Sequence, residues 1–133
     1  MSSKIEGRAE ELLKGKNFAH LATLRPDGSV QVAPTWVDLQ DGRVVVNTAD
    51  GRAWPRNLER DPRITLEVQN MENPYEYVEI RGRVAERTQE GANAHIDALA
   101  KKYLGVDEYP YRQPGEQRVI IRVEAEHVHV QGS

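Results

Sequence analysis

Three stretches of the chain group side chains that suit ligand chemistry. In Thr48-Ala49-Asp50-Gly51-Arg52-Ala53-Trp54-Pro55-Arg56-Asn57 a strand ends, Gly51 permits a sharp turn, and a helix is predicted to begin at Pro55. The free amides of a helix N-terminus attract a phosphate or carboxylate, and Arg52 and Arg56 flank that point with guanidinium groups able to add bidentate contacts. The same two arginines also read as solvated charges beside an ordinary turn. In the run from Tyr75 to Arg87, the expected core face carries Val78, Ile80 and Val84, and the opposite face carries Tyr75, Tyr77, Glu79, Arg81 and Arg83. Two tyrosines leading a row of charges suit stacking on a planar ligand or a partner subunit, or else an exposed sheet face. In Pro34-Thr35-Trp36 the proline interrupts a strand pattern and frees backbone groups that can hydrogen-bond the polar edge of a ring. Trp36 then either walls that ring or fills the core.

Other chemistries find less support. His127 and His129 share a strand face, but no cysteine or carboxylate cluster joins them as metal ligands. Their parity matches Val119, Ile121 and Val123, while Val128 and Val130 have the opposite parity. A bulge near Ala125–Glu126 is therefore expected, which turns both histidines outward. His20 lies in phase with Phe18, Ala22 and Leu24 and is expected to be a satisfied, partly buried histidine. There is no G-x-S-x-G elbow, Walker A motif or G-x-G-x-x-G motif, so hydrolytic nucleophiles and P-loop or Rossmann nucleotide sites lack a signature.

The elements that must position these groups follow from periodicity and punctuation. Ser3-Lys4-Ile5-Glu6 has capping-box spacing, and Ile5, Ala9, Leu12 and Leu13 recur on one face before Gly15, which predicts an N-terminal helix. Strands are expected over Phe18–Leu24, Val30–Leu39, Arg43–Thr48, Ile64–Val68, Tyr75–Arg87 and Arg118–Val130. Asp41-Gly42 marks a hairpin, and Pro34 implies an edge, a bulge or a close approach. Pro55–Arg60 forms a helical turn, and a longer helix carries Ala92, Ile96, Leu99 and Tyr103 on one face between a Thr88 cap and Gly105. Short turns between consecutive strands favour an antiparallel meander or Greek-key barrel over a parallel sheet.

Composition bounds the rest. With 133 residues, 38% apolar and 29% charged, the chain fits one domain with a lean core, which hints that a second subunit completes some apolar surface. A net charge of −3 without a basic block argues against nucleic acid as a partner. No apolar run is long enough for a membrane span, and the charged start lacks the apolar stretch of a signal peptide, so a cytoplasmic location is expected. The absence of cysteine removes disulfides and thiolate chemistry.

Phe18-Ala19-His20-Leu21-Ala22-Thr23-Leu24 followed by Pro26-Asp27-Gly28, then Arg56-Asn57-Leu58-Glu59-Arg60-Asp61-Pro62-Arg63, then Glu79-Ile80-Arg81-Gly82-Arg83-Val84, resemble in this order the pyridoxamine 5′-phosphate oxidase-like split barrels. The resemblance is closest to the branch that uses coenzyme F420, a deazaflavin, and runs from Lys14 to Val130. It implies a mainly β fold: a homodimeric, six-stranded antiparallel Greek-key split barrel with two to three short helices. One domain would fill residues 1–133, with an N-terminal helix over 1–16 and the barrel over 17–131, and a cofactor site at each end of the dimer interface.

The resemblance further implies that Val32, Ala33, Pro34, Thr35 and Trp36 line the deazaflavin ring through backbone contacts. Thr48, Arg52, Ala53, Trp54, Pro55 and Arg56 would hold the phosphate, Asn47 would join the cofactor site beside them, and Tyr75 and Tyr77 would reach in from the other subunit. Trp54 stands where several members carry a lysine phosphate ligand, which leaves FMN open as the cofactor and offers an indole for stacking. The implied activity is an F420H2-dependent reductase passing a hydride to a planar conjugated acceptor such as a quinone, enone or tetrapyrrole-like molecule. No side chain is nominated as an acid or base. The rivals are an FMN-dependent oxidase or reductase on the same fold, and a non-catalytic protein that binds F420, haem or a flavin.

Overall fold

A computed structural model describes residues 3–132. Among the described residues the element order is α1 (Arg8–Lys14), β1 (Ala19–Leu24), β2 (Val30–Thr35), β3 (Asp38–Gln40), β4 (Arg43–Ala49), α2 (Ala53–Arg60), β5 (Arg63–Asn70), β6 (Asn73–Thr88), α3 (Ala92–Leu104) and β7 (Arg118–Gln131). The strands form one antiparallel sheet in the order β2-β1-β5-β6-β7-β4-β3. The mainly β, antiparallel barrel expected from the sequence is therefore present, with seven strands in place of six.

The extra strand has a physical origin. The extended run Val30–Leu39, expected as one strand, is broken at Trp36–Val37 into β2 and β3, which lie at opposite edges of the sheet. Three peptide steps from Thr35 to Asp38 span at most about 11 Å, so the two edges must curl round to meet there. The sheet closes through the chain rather than through a ladder of hydrogen bonds. Pro34 sits on the edge strand β2, opposite His20 of β1, where its missing N–H costs no ladder bond.

Inside the barrel, Ala19, Leu21, Val44, Val46, Ile64, Leu66, Val68, Val78, Ile80, Ile121, Val123 and Ala125 form one apolar cluster. Helix α1 adds Ala9, Leu12 and Leu13 to it, and α2 adds Trp54 and Leu58. Each of the larger side chains contributes about 1.5–3 kcal/mol by leaving water. On the outside, α3 packs Ala92 against Val45 and Ile120.

Several boundaries differ from expectation. Residues Ser3–Glu6 form no capping box: α1 starts at Arg8 behind Gly7, and the Ser3 N–H and hydroxyl donate to the Ala125 and Glu126 carbonyls of β7 at 2.8 and 2.7 Å. Helix α2 begins two residues before Pro55, with Arg52 at its N-cap. Gly91 rather than Thr88 caps α3, while Thr88 Oγ1 accepts from the Glu90 N–H. In β1 the buried phase is Ala19, Leu21 and Thr23, so His20 faces outward and bonds Glu67 at 3.1 Å. Apolar residues occupy both faces of that stretch, and its pattern did not fix the phase.

The hairpin at Asp41-Gly42 is as expected, with φ of 53° and 78° at the two residues, the left-handed pair of a type I′ turn. The β7 bulge is also present: the β6–β7 register jumps from Arg81↔His127 to Gly82↔Ala125, and both histidines face outward. Opposite the bulge, a Cβ on Gly82 would collide with the Glu124 carbonyl. Backbone, not a flexible side chain, occupies the space. Gly82→Ala should therefore lower the unfolding free energy by about 2 kcal/mol, the usual scale of overpacking, in a urea titration.

Candidate functional site

The seam between β2 and β3 leaves backbone groups without a strand partner, and α3 satisfies them. The Val37 N–H donates to the Tyr103 hydroxyl at 3.1 Å, and that hydroxyl donates to the Asn17 carbonyl at 2.6 Å. Lys102 Nζ donates to the carbonyls of Val37 at 2.6 Å and Leu13 at 2.9 Å. Burial lowers the Lys102 pKa against the opposing pull of Asp38, and burial pushes the Tyr103 phenol up to about 12. The phenol thus stays protonated as a donor. Tyr103 also stacks between Trp36 and Phe18, with ring centroids 5.2 and 5.6 Å away.

This clamp holds one wall of an open cavity of about 290 Å³. Phe18, Pro34, Thr35 and Trp36 line it from the seam, and Ile96 lines it from α3. Tyr109 and Tyr111 come from the α3–β7 loop. Tyr109 meets Trp36 edge-on at 5.9 Å. Its loop is tied to α3 by Asp97, which accepts from the Tyr109 N–H at 2.9 Å and from Arg112 at 2.6 Å.

Polar groups converge on the opposite wall: Asn47 of β4, Arg52 at the head of α2 and Arg118 at the start of β7. Arg118 is buried, and its Nε donates to Asn47 Oδ1 at 2.9 Å. Its guanidinium lies 5.1 Å from the Tyr109 ring centroid, and one of its terminal nitrogens is 3.1 Å from Glu116. Asn47 Nδ2 donates to the Ala92 carbonyl at 2.9 Å and faces His95 Nδ1 at 3.0 Å. Since Arg118 offers only donors, the Asn47 oxygen must face it, the Asn47 amide must donate to His95 Nδ1, and the His95 proton sits on Nε2. That Nε2 is buried with no hydrogen-bond partner among the described residues.

The expected site residues divide. The cavity gathers Pro34, Thr35, Trp36, Asn47 and Arg52. Val32 is exposed on the edge strand, and Ala33 packs on the core. Thr48 is buried on the same parity as core-facing Val44 and Val46, and its hydroxyl has no partner among the described residues. Ala53 and Arg56 are exposed, and Pro55 is buried. Trp54 stacks on nothing in the cavity: its indole is only 8% exposed and belongs to the barrel core. Tyr75 is exposed and Tyr77 half-buried on β6, and neither lines the cavity of its own chain.

Sequence reading missed Arg118, His95, Glu116, Phe18 and the loop tyrosines as site groups. Tyr109 and Tyr111 carried a signal, since two tyrosines two apart in a Pro-rich turn segment place aromatic area on a loop. Arg118 and His95 carried none, because each gains its place from contacts dozens of residues away.

Residues 5–132 match the pyridoxamine 5′-phosphate oxidase family, and the chain belongs to it. Among solved structures it is similar to an F420 reductase, with 30% identity, a TM-score of 0.79, and coverage of 90% of this chain and 94% of that one. A conserved hypothetical protein from Mycobacterium tuberculosis shares the fold at 21% identity and a TM-score of 0.76, covering 98% of this chain and 86% of that one. A putative pyridoxamine 5′-phosphate oxidase from Listeria innocua does so at 16% identity and a TM-score of 0.66, covering 92% and 93%. No curated protein matches the chain significantly. Among the described residues no helix is long and apolar enough to cross a membrane, and no group of three or more histidines and carboxylates is placed to hold a metal ion.

Two measurements test this account of the site. Tyr103→Phe removes the acceptor of the buried Val37 N–H and should cost about 1–3 kcal/mol in urea unfolding, with a shift in Trp36 emission. Burial pushes the His95 imidazole from 6.5 down to about 4, with the Arg122 and Arg118 charges adding to this and Asp38 opposing it. The unfolded chain takes up that proton first, so the contribution of neutral His95 is complete above pH 6.5 and is lost as pH falls towards 4. His95→Gln should therefore shrink the stability lost between pH 7 and pH 4.5 by about 2 kcal/mol, measured by urea unfolding at both pH values.

Proposed function

We propose that the protein is an F420H2-dependent reductase acting on a planar conjugated acceptor such as a quinone, enone or tetrapyrrole-like molecule. The observation that carries this reading is the two-sided cavity. An aromatic wall at the barrel seam faces two guanidinium groups, Arg52 and Arg118, the arrangement that a flat ring with an anionic arm requires. The similarity to an F420 reductase over nearly the whole chain supports the deazaflavin over other rings. In this reading Arg118 of β7 takes the place of the cation that several family members carry where this chain has Trp54.

When bound, F420H2 supplies a hydride from C5, and the acceptor takes its accompanying proton from water. The chain's own part is positional. Backbone groups of Pro34–Trp36 would meet the polar edge of the ring, and Trp36 and Phe18 would form the apolar wall beside it. Arg52 and Arg118 fix the anionic arm so that the ring face is presented in one orientation. At about 290 Å³ the cavity has room for the ring and little more. A second copy of the chain, bringing the exposed Tyr75 and the half-buried Tyr77 to the open side, completes the enclosure in this reading.

Tryptophan fluorescence tests it directly, because Trp36 lines the cavity while core Trp54 gives a constant background. F420 should quench saturably, Trp36→Phe should abolish the quench, and Arg52→Ala should weaken binding about tenfold, the scale of one charge-assisted contact. Reduced F420 should then be oxidised by a quinone in the presence of the protein. Quenching by FMN alone would make this a flavin protein. F420 binding without turnover on any acceptor would favour a carrier, and no response to either cofactor would overturn the reading.

A further inference from the structure

Glu116 does not itself line the cavity, but it contacts both of the arginines that do. It follows the turn at Pro114-Gly115, where Gly115 has a φ of 76°, and its side chain is only 6% exposed. One carboxylate oxygen lies 3.1 Å from the Arg118 guanidinium, and the other lies 3.8 Å from that of Arg52. A single carboxylate thus stands between the two cations that face the cavity.

The two contacts are unequal. The Arg118 side chain is only 3% exposed, and a cation so buried is costly without an anion beside it. Arg52 is half exposed, its contact to Glu116 is too long for a hydrogen bond, and its guanidinium makes no hydrogen bond among the described residues. Arg118 spends one donor on Asn47 and one on Glu116. Two adjacent guanidinium groups therefore keep most of their donors free while a carboxylate of the same chain neutralises one charge.

From this we infer that Glu116 is an internal anion that competes with the phosphate arm of an incoming ligand for the two cations of the cavity. The inference rests on the reading that the cavity holds a phosphorylated ring compound, and it names the residue that sets selectivity for the charged arm. A ligand with phosphate exchanges one anion for another at the buried Arg118 and also engages Arg52. A ring without phosphate cannot replace Glu116 without stranding the Arg118 charge, so it gains nothing from the two cations. No bond is made or broken, and no proton moves.

The test compares phosphorylated and unphosphorylated rings on Glu116→Gln. F420 or FMN should bind about tenfold more tightly than to the native chain, with riboflavin unchanged, because removing the competing charge helps only the anionic arm. Inorganic pyrophosphate should raise the melting temperature of Glu116→Gln by more than it raises that of the native chain. Should Glu116→Gln fail to fold, Glu116→Asp keeps a charge near Arg118 while drawing it back from Arg52, and a gain of about threefold is expected. Equal or weaker binding of phosphorylated ligands to the folded variants, with no added response to pyrophosphate, would overturn the inference. The pyrophosphate arm needs no ring. A selective pyrophosphate effect without F420 or FMN binding would leave Glu116 as an internal anion and remove the proposed function.

Discussion

The structure depends on what happens at Val37. The barrel closes where one extended segment passes from the first edge of the sheet to the last, and no ladder can form at that crossing. The backbone groups stranded there are buried, and leaving them unpaired would cost on the order of the stability of several packed side chains. Tyr103 and Lys102 take both of them, and because these two residues sit at the C-terminal end of α3, the helix is fixed on the seam in addition to its buried face of Ala92, Ile96, Leu99 and Ala100. The same residues reach α1 and the α1–β1 connection through Leu13 and Asn17. Three elements distant in sequence are thus held by two side chains.

The second wall of the cavity follows from the first. Once α3 is docked, its first turn presents the Ala92 carbonyl and His95 to β4, and Asn47, which has both donors and an acceptor, bridges them to Arg118. Its orientation is then forced, and with it the His95 tautomer. Arg118 is held by Asn47 on one side and by Glu116 on another, with the Tyr109 ring beneath it. Asn47 thus fixes the guanidinium at Nε, while one of its terminal nitrogens meets Glu116.

Features that depend on neighbours in sequence were legible beforehand. Asp41-Gly42 needed two left-handed residues, and the switch of apolar parity around Glu126 required a bulge. The mark of an edge was Pro34, whose N–H is missing. Features set by partners far along the chain were not. The break at Trp36–Val37 is invisible in a run that keeps its extended character on both sides. Trp54 follows Arg52 in a loop-to-helix segment that looked like a binding site, but the apolar face of α2 carries it inward with Leu58. His20 was assigned to the wrong face because apolar residues flank it on both. Arg118 begins a strand of otherwise ordinary pattern, and nothing local distinguishes a buried guanidinium from a solvated one.

These failures share a cause that bears on function. A site built at a barrel seam has no local signature, because its walls are the two ends of the sheet and a helix fastened across them. It gains what a closed barrel lacks: a free strand edge, whose end at Pro34 and Thr35 lines a cavity. Pro34 removes one donor from that edge and so weakens it as a template for strand addition by another chain, while the neighbouring backbone remains able to meet a polar ring edge. The need to close the sheet through two residues and the availability of backbone for recognition are therefore the same feature. A substitution that restored a continuous ladder at the seam would strengthen the barrel and remove that wall of the cavity.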